Sequence, residues 1–179
     1  MTETKITVIS GDGIGPEIMD STLEILSRLE SNLAFDMALA GGPALQQGMD
    51  LIPEETLEKI ESNVATLKGP ITTPIGRGFT SVNVSLRQHF DLYANVRPAL
   101  SIPGATTRYS DIDILTVREN MEGLYSGVGQ TPSPDGERAE LKSVVTRTGS
   151  QRVLKYAFEL AQRLGRKKVT VVHKANIMK

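Results

Sequence analysis

KGPITTPIGRGFTSVNVSLRQHFDLYANVRP, residues 68–98, brings Thr72, Thr73, Ser81, Asn83, Arg87 and Arg97 within about one helix and one strand of each other. Ser81 follows a loop spaced by Gly76 and Gly78 and precedes a helical pattern, the place of an N-cap. A carboxylate or phosphate set there meets unpaired backbone N–H groups and the positive end of the helix dipole. Asn83 and Arg87 are four residues apart and share a helix face. Arg97 stands at the end of a strand-like run, Leu92 to Val96, whose pairing Pro98 is expected to stop. Guanidinium groups hold carboxylates through paired charge-assisted hydrogen bonds of roughly 1.5–3 kcal/mol each. Capping alone accounts for a serine at a helix start, and a single helical arginine is commonly a solvated surface residue. Their combination with the threonine pair and the glycine-spaced loop marks a receptor for a small polyanion.

The chain has 179 residues, of which 39% are hydrophobic and 23% charged, enough for one ordinary domain or two small ones. Its net charge of −1 gives no basic field, so a nucleic-acid partner is not expected. The absence of cysteine excludes disulfides, zinc–cysteine sites and thiol nucleophiles, and two histidines are too few for a histidine-based metal site. MTETKITVIS is polar and then strand-like, and no apolar run reaches the length of a membrane span, so no membrane partner and a cytoplasmic location are expected.

Strands and helices alternate along the chain, which predicts an α/β fold. Ile6 to Ile9 forms a β-branched run ending at Gly11-Asp12-Gly13-Ile14-Gly15-Pro16-Glu17, and Pro16 suits the first turn of the helix that follows. Pro16 also stands where the third glycine of a GxGxxG fingerprint belongs, which argues against the standard dinucleotide turn. Leu33 to Leu39 alternates, with Phe35, Met37 and Leu39 on one side. Short helices follow Gly42-Pro43 and Pro53, the second with Leu57 and Ile60 facing inward, and Val64 to Leu67 reads as the next strand. Beyond Pro98, Ile112 to Val117 reads as a buried strand ending in Arg118-Glu119-Asn120, a third arginine at a strand's carboxyl end. Gly127 to Leu141 is rich in Gly, Pro, Ser and charge; a mobile surface loop and an arm reaching to a neighbouring protomer fit it equally. Ser150 is expected to cap a helix with Val153, Leu154, Ala157, Phe158, Ala161 and Leu164 on one face, ended by Gly165. Val169 to Val172 reads as a last buried strand, with Lys174 just past its end.

GDGIGPE (11–17), KGPITTPIG (68–76), SVNVSLR (81–87), YANVRP (93–98), VRENMEGLY (117–125) and HKANIMK (173–179) follow one another along the chain. With these motifs the sequence resembles the β-decarboxylating dehydrogenases, the family of isocitrate and 3-isopropylmalate dehydrogenases. Ser81 and Asn83 look like the isocitrate pattern, and YANVRP is similar to NAD-linked isocitrate dehydrogenases. The resemblance implies oxidative decarboxylation of isocitrate to 2-oxoglutarate, a tricarboxylic acid cycle step, with NAD as hydride acceptor. It implies that Arg87, Arg97 and Arg118 clamp the carboxylates of a small tricarboxylate substrate, that Ser81 and Asn83 set specificity, and that Tyr125 and Lys174 handle protons. Thr72 and Thr73, with Lys68, Ile71 and Ile14, match the family's nicotinamide-side contacts. The alternatives are homoisocitrate, isopropylmalate or tartrate as substrate, or a non-catalytic regulatory role in a hetero-oligomer.

The resemblance also implies the family's α/β/α fold, here truncated to about its N-terminal half. Residues 1–98 would be part of a large domain, and 99–179 most of a small one with a dimer arm at 126–148. A homodimer or higher homo-oligomer is expected of the full-length form. The family's Mg2+ or Mn2+ is held by aspartates beyond HKANIMK, so no metal ligand is expected in this chain, and the 179 residues alone are expected to be inactive.

Overall fold

A computed structural model describes residues 3–29, 32–72 and 81–177, with Tyr125 described in its backbone alone. Thr73 and the loop of Gly76 and Gly78 lie outside the described residues. The chain divides into two units, Met1–Leu86 and Arg87–Lys179, and each has its own architecture. The division falls upstream of Pro98, the boundary the resemblance implied, because the strand containing Pro98 pairs with the strand that follows it.

The first unit contains β1 (Thr4–Ile9), α1 (Gly15–Arg28), β2 (Leu33–Ala38), α2 (Gly42–Gln46), α3 (Glu54–Ser62) and β3 (Ala65–Lys68). Its strands form a parallel sheet of order β2-β1-β3. The central strand is β1, and Thr7, Val8 and Ile9 are fully buried, as the β-branched run requires of a strand covered on both faces. Met19 of α1 and Ala44 of α2 join this core. Thr7 is tolerated there because its hydroxyl donates to Lys59 O (2.8 Å) and accepts from Asn63 Nδ2 (3.0 Å). On α3 the buried residue is Thr56, with Leu57 and Ile60 only half-buried. The Thr56 hydroxyl satisfies Leu39 O at 2.7 Å, so this face of the helix docks through a hydrogen bond. Strand β2 ends at Ala38, which is buried, while Met37 is exposed.

Helix α4 (Val82–His89) buries Val82 and Leu86, one helical turn apart.

The second unit contains β4 (Ala94–Leu100), β5 (Asp113–Glu119), a 3-10 turn (Leu124–Ser126), β6 (Thr131–Pro132), β7 (Ala139–Glu140) and α5 (Arg147–Arg163). Strands β4 and β5 pair antiparallel along their whole lengths, so Pro98 does not stop β4; it lies inside it opposite Leu115. Backbone bonds from Asn120 N to Tyr93 O and from Ser101 N to Ile112 O make the odd-numbered β4 positions the hydrogen-bonded ones. The Pro98 nitrogen therefore points away from β5, and no ladder bond is lost. β5 is not the buried strand its apolar run suggested: Ile114 is exposed, because among the described residues β5 has one strand neighbour.

Helix α5 is capped by Thr146 rather than Ser150. The Thr146 hydroxyl accepts from Gly149 N (3.0 Å), which begins the helix one turn earlier. Leu160 is its buried apolar residue, while Phe158 is 56% exposed. Gly165 follows at φ 64°, as expected. Val169 to Val172 form no strand, and Val172 is 90% exposed. A strand needs a neighbour to take its N–H and C=O groups, and no described residue pairs with this segment. Within Gly127 to Leu141, β6 and β7 close a short hairpin. No described helix is long and apolar enough to cross a membrane.

Candidate functional site

In the first unit, the nicotinamide-side candidates gather at the carboxyl ends of the parallel strands, where open α/β sheets place ligands. Lys68 ends β3, and its ammonium donates to Gly69 O (2.6 Å). Ile71 is buried beside Gly41, whereas Thr72 is exposed. Ile14, in the turn after β1, is 62% exposed although apolar. The two turns lie against each other: Asp12 N donates to Pro70 O (3.0 Å), and Gly11 packs so close to Pro70 that a Cβ would overlap its carbonyl. Gly11 also has φ 77°, which a side chain would strain.

Asp12 is the residue at this end that the motif pattern did not single out. Its Oδ1 accepts from Thr72 N (2.8 Å) across sixty residues of chain. Burial disfavours its charge, but hydrogen bonds from the Thr72 side chain, the Thr72 N–H and the Gly42 N–H, with the Lys68 ammonium, hold the carboxyl below its ordinary 3.8. The visible signal was an acid between two glycines.

Helix α4 begins where the sequence predicts. Ser85 N donates to Ser81 O (2.9 Å), which puts Ser81 at the N-cap position. Ser81, Asn83 and Arg87 are each half-buried, and Asn83 and Arg87 share one face of the helix.

In the second unit, the β4–β5 register decides where the other arginines stand. Asn95 pairs with Arg118 and Arg97 with Thr116. Directly paired residues share a face, as do residues two apart on one strand, so Arg97 and Arg118 occupy one face as diagonal neighbours. Such positions lie roughly 7–8 Å apart, a spacing that suits two carboxylates of one small acid. Arg97 Nε donates to Asn95 Oδ1 (3.2 Å), which orients its guanidinium along this face.

Tyr125 lies in the 3-10 turn after β5, and its side chain is outside the described set. Lys174 is exposed in the turn at 174–177, where Ile177 N donates to its carbonyl (3.0 Å), and no strand pairing joins it to the ribbon.

Two glutamates that the motif pattern did not single out build the segment between Arg118 and Tyr125. The Glu119 carboxylate accepts from Met121 N and Glu122 N (2.8 Å to the latter). Glu122 reaches the start of α5, accepting from Thr146 N (2.8 Å) and from the Thr146 hydroxyl (2.5 Å). Its carboxylate fills the space a Cβ at Gly149 would need. Gly123 N donates to Val144 O (2.8 Å), a second tie just before the turn that carries Tyr125.

Among the described residues no group of three or more His, Cys, Asp or Glu is assembled to hold a metal ion. Three of the aspartates are engaged elsewhere: Asp12 with Thr72, Asp91 with Arg152, and Asp113 with Arg166 (2.5 and 2.6 Å). These residues do not fit a divalent ion, and no step below runs through one. The strand-end set fits a nicotinamide better: Ile14 offers an exposed apolar surface, and Thr72 and Lys68 offer polar groups for a carboxamide.

A family model described as isocitrate/isopropylmalate dehydrogenase matches residues 5–179. A mitochondrial regulatory subunit of NAD isocitrate dehydrogenase from Dictyostelium discoideum is 46% identical over 98% of this chain and 47% of its own length. A 3-isopropylmalate dehydrogenase of Methanothermobacter thermautotrophicus is 45% identical over 100% of this chain and 52% of its own. The crystal structure of isocitrate dehydrogenase from Methylococcus capsulatus matches with a TM-score of 0.89 and 49% identity, covering 98% of this chain and 52% of that one. The chain spans about half the length of the relatives it matches.

Proposed function

Because the chain belongs to the isocitrate/isopropylmalate dehydrogenase family, the β-decarboxylating dehydrogenases, we propose that it carries the substrate-clamping and nicotinamide-side residues of an NAD-dependent isocitrate dehydrogenase. The observation that carries this reading is the placement of Arg97 and Arg118 on one face of the β4–β5 ribbon. In this reading the two guanidiniums, with Arg87, hold the carboxylates of isocitrate. Ser81 and Asn83 receive the carboxylate that isopropylmalate replaces with an apolar group.

Ile14, Lys68, Ile71 and Thr72 would hold the nicotinamide end of NAD, which when bound supplies the hydride acceptor for C2 of the substrate; Thr73 is assigned to the same side by the resemblance. Loss of hydride from C2 and of the hydroxyl proton gives a β-keto acid. Its departing CO2 leaves an enolate that must take a proton at carbon. Tyr125 and Lys174 are the proton carriers of this reading. A phenol with an ordinary pKa near 10 serves as acid, and an ammonium beside it would bring that value toward working pH. Residues 126–148 are the proposed dimer arm, and the assembly is a dimer or larger.

The test is a full-length chimaera in which residues 1–179 replace the matching half of the Methylococcus capsulatus enzyme. NAD reduction with isocitrate is expected, with at least about a hundredfold loss of kcat/KM in Arg118→Ala. Ser81→Leu is expected to erode the preference for isocitrate over isopropylmalate. Faster turnover of isopropylmalate, homoisocitrate or tartrate would overturn the substrate assignment. A regulatory role is the second reading, favoured by the printed name of the Dictyostelium relative. It predicts a chimaera that folds and binds isocitrate but does not reduce NAD. The 179-residue chain alone is expected to give no turnover with NAD and magnesium.

A further inference from the structure

Arg97 and Arg118 owe their places to the β4–β5 ladder, whereas Arg87 stands in the last turn of α4 and is joined to that ladder by the short link 90–93. Whatever holds the link therefore holds Arg87. Leu92 N donates to Arg87 O (2.9 Å), so the link folds back onto that residue. On the ribbon side stands Asn120, buried and two residues past Arg118. Its backbone N–H donates to Tyr93 O (3.0 Å) and its side-chain amide to Leu92 O (3.2 Å).

Helix α5 grips the same link. Arg152 Nη1 donates to both carboxylate oxygens of Asp91 (2.8 and 2.9 Å), and the guanidinium carbon lies 4.7 Å from the centre of the Tyr93 ring. Tyr156, one helical turn on from Arg152, meets that ring edge-on at 6.2 Å. Asp91 has φ 48°, a left-handed backbone that few residues with a side chain adopt. Arg152 Nε is buried with no hydrogen-bond partner among the described residues, so its seat on the link costs the hydration of one donor. Asp91 is exposed, and an ion pair so open to water adds little to global stability.

Resting on the reading of the three arginines as a carboxylate clamp, we propose that Arg152 is a positioning residue. Through Asp91 and Tyr93 it fixes the link, and so sets Arg87 to receive a carboxylate of the same substrate that Arg97 and Arg118 hold. Arg152 itself touches no substrate atom in this arrangement.

Isocitrate is titrated into the 179-residue chain while the Nε–Hε resonances of Arg87, Arg97 and Arg118 are followed by NMR. In the wild type all three shift along one saturable curve. Arg152→Met keeps the length of the side chain and removes both bonds to Asp91. In that variant Arg97 and Arg118 still shift together, the response at Arg87 is lost, and affinity falls about tenfold, the size of one charge-assisted hydrogen bond. Asp91→Asn suits the left-handed backbone equally and removes the charge at the other end. It reduces the Arg87 response, and it answers the question if Arg152→Met does not fold. A folded variant in which Arg87 keeps its full shift on the curve of the other two, at wild-type or at weakened affinity, has lost stability at most and overturns the inference alone. A wild type in which isocitrate moves Arg97 and Arg118 but not Arg87 does the same. A wild type in which isocitrate moves none of the three overturns the clamp reading and the inference with it.

Discussion

Each unit fixes a loop of the candidate site with a carboxylate that reaches far along the chain, but the surroundings of the two carboxylates differ. Asp12 meets Thr72 sixty residues on, at the end of a sheet whose central strand fully buries Thr7, Val8 and Ile9. Glu122 meets Thr146 twenty-four residues on, beside a two-stranded ribbon with exposed apolar residues on both strands. At Gly11, next to Asp12, the neighbours an added Cβ would meet are backbone, and backbone cannot retreat. Around Gly149 the neighbour is the end of a glutamate side chain, which can. The first node is therefore rigid because the fold enforces it, and the second because hydrogen bonds hold it.

That contrast is most open to failure at the two glycines. Gly11→Ala introduces a strained φ and drives a Cβ into the Pro70 carbonyl, so a loss on the order of 3 kcal/mol or more is expected in a denaturant melt. Gly149→Ala only displaces the Glu122 carboxylate and is expected to cost about 1–2 kcal/mol. Equal losses would erase the distinction between the two nodes.

Removing the second carboxylate directly comes next in size. Glu122→Ala should weaken the start of α5 by about 1–2 kcal/mol, read as faster amide hydrogen exchange at Thr146 and Gly149. Unchanged exchange at those amides would mean that Thr146 caps the helix without help.

How much of this was legible in the sequence follows the same division. In the first unit, Ile6 to Ile9, the glycine turn and Pro16 specify strand, turn and helix through neighbours a few residues apart, and the structure agrees. The Thr72–Asp12 bond was not legible, because no local pattern announces a partner sixty residues away. In the second unit, the apolar runs at 112–117 and 169–172 look like buried strands, but burial depends on what covers a strand and pairing on what lies beside it. The Thr146 cap was missed for a smaller reason: Ser150 is an equally good capping residue by type, and the choice depends on which hydroxyl reaches a free N–H. The arginine motifs were visible as chemistry, but their common face needed the register.

Pro98 sharpens that point with a smaller effect. If its nitrogen points away from β5, Pro98→Ala restores no ladder bond and should change stability by less than about 0.5 kcal/mol. A gain above about 1 kcal/mol would mean that the register has been misassigned.

The smallest effect is in acid. Asp12 in the first unit and Asp113 in the second both have carboxyls held below the ordinary value, Asp113 chiefly by its hydrogen bonds to Arg166. A carboxyl depressed in the folded state contributes stability that is fully present above the unfolded value near 3.9. That contribution is lost as pH falls through the lower folded value. Melting temperatures of Asp12→Asn and Asp113→Asn should therefore approach the wild type as pH drops below about 4. A gap that persists undiminished at the lowest pH where the chain still folds would contradict both assignments.

The central claim is that one face of the β4–β5 ribbon receives a carboxylate-rich substrate, and it can be read at the arginines themselves. In the 179-residue chain, the Nε–Hε resonances of Arg97 and Arg118 are followed by NMR during titration with isocitrate. The account predicts that both resonances shift along one saturable curve, and that Arg118→Ala abolishes the shift at Arg97. Independent curves, or resonances that stay in place while isocitrate binds elsewhere, would contradict it.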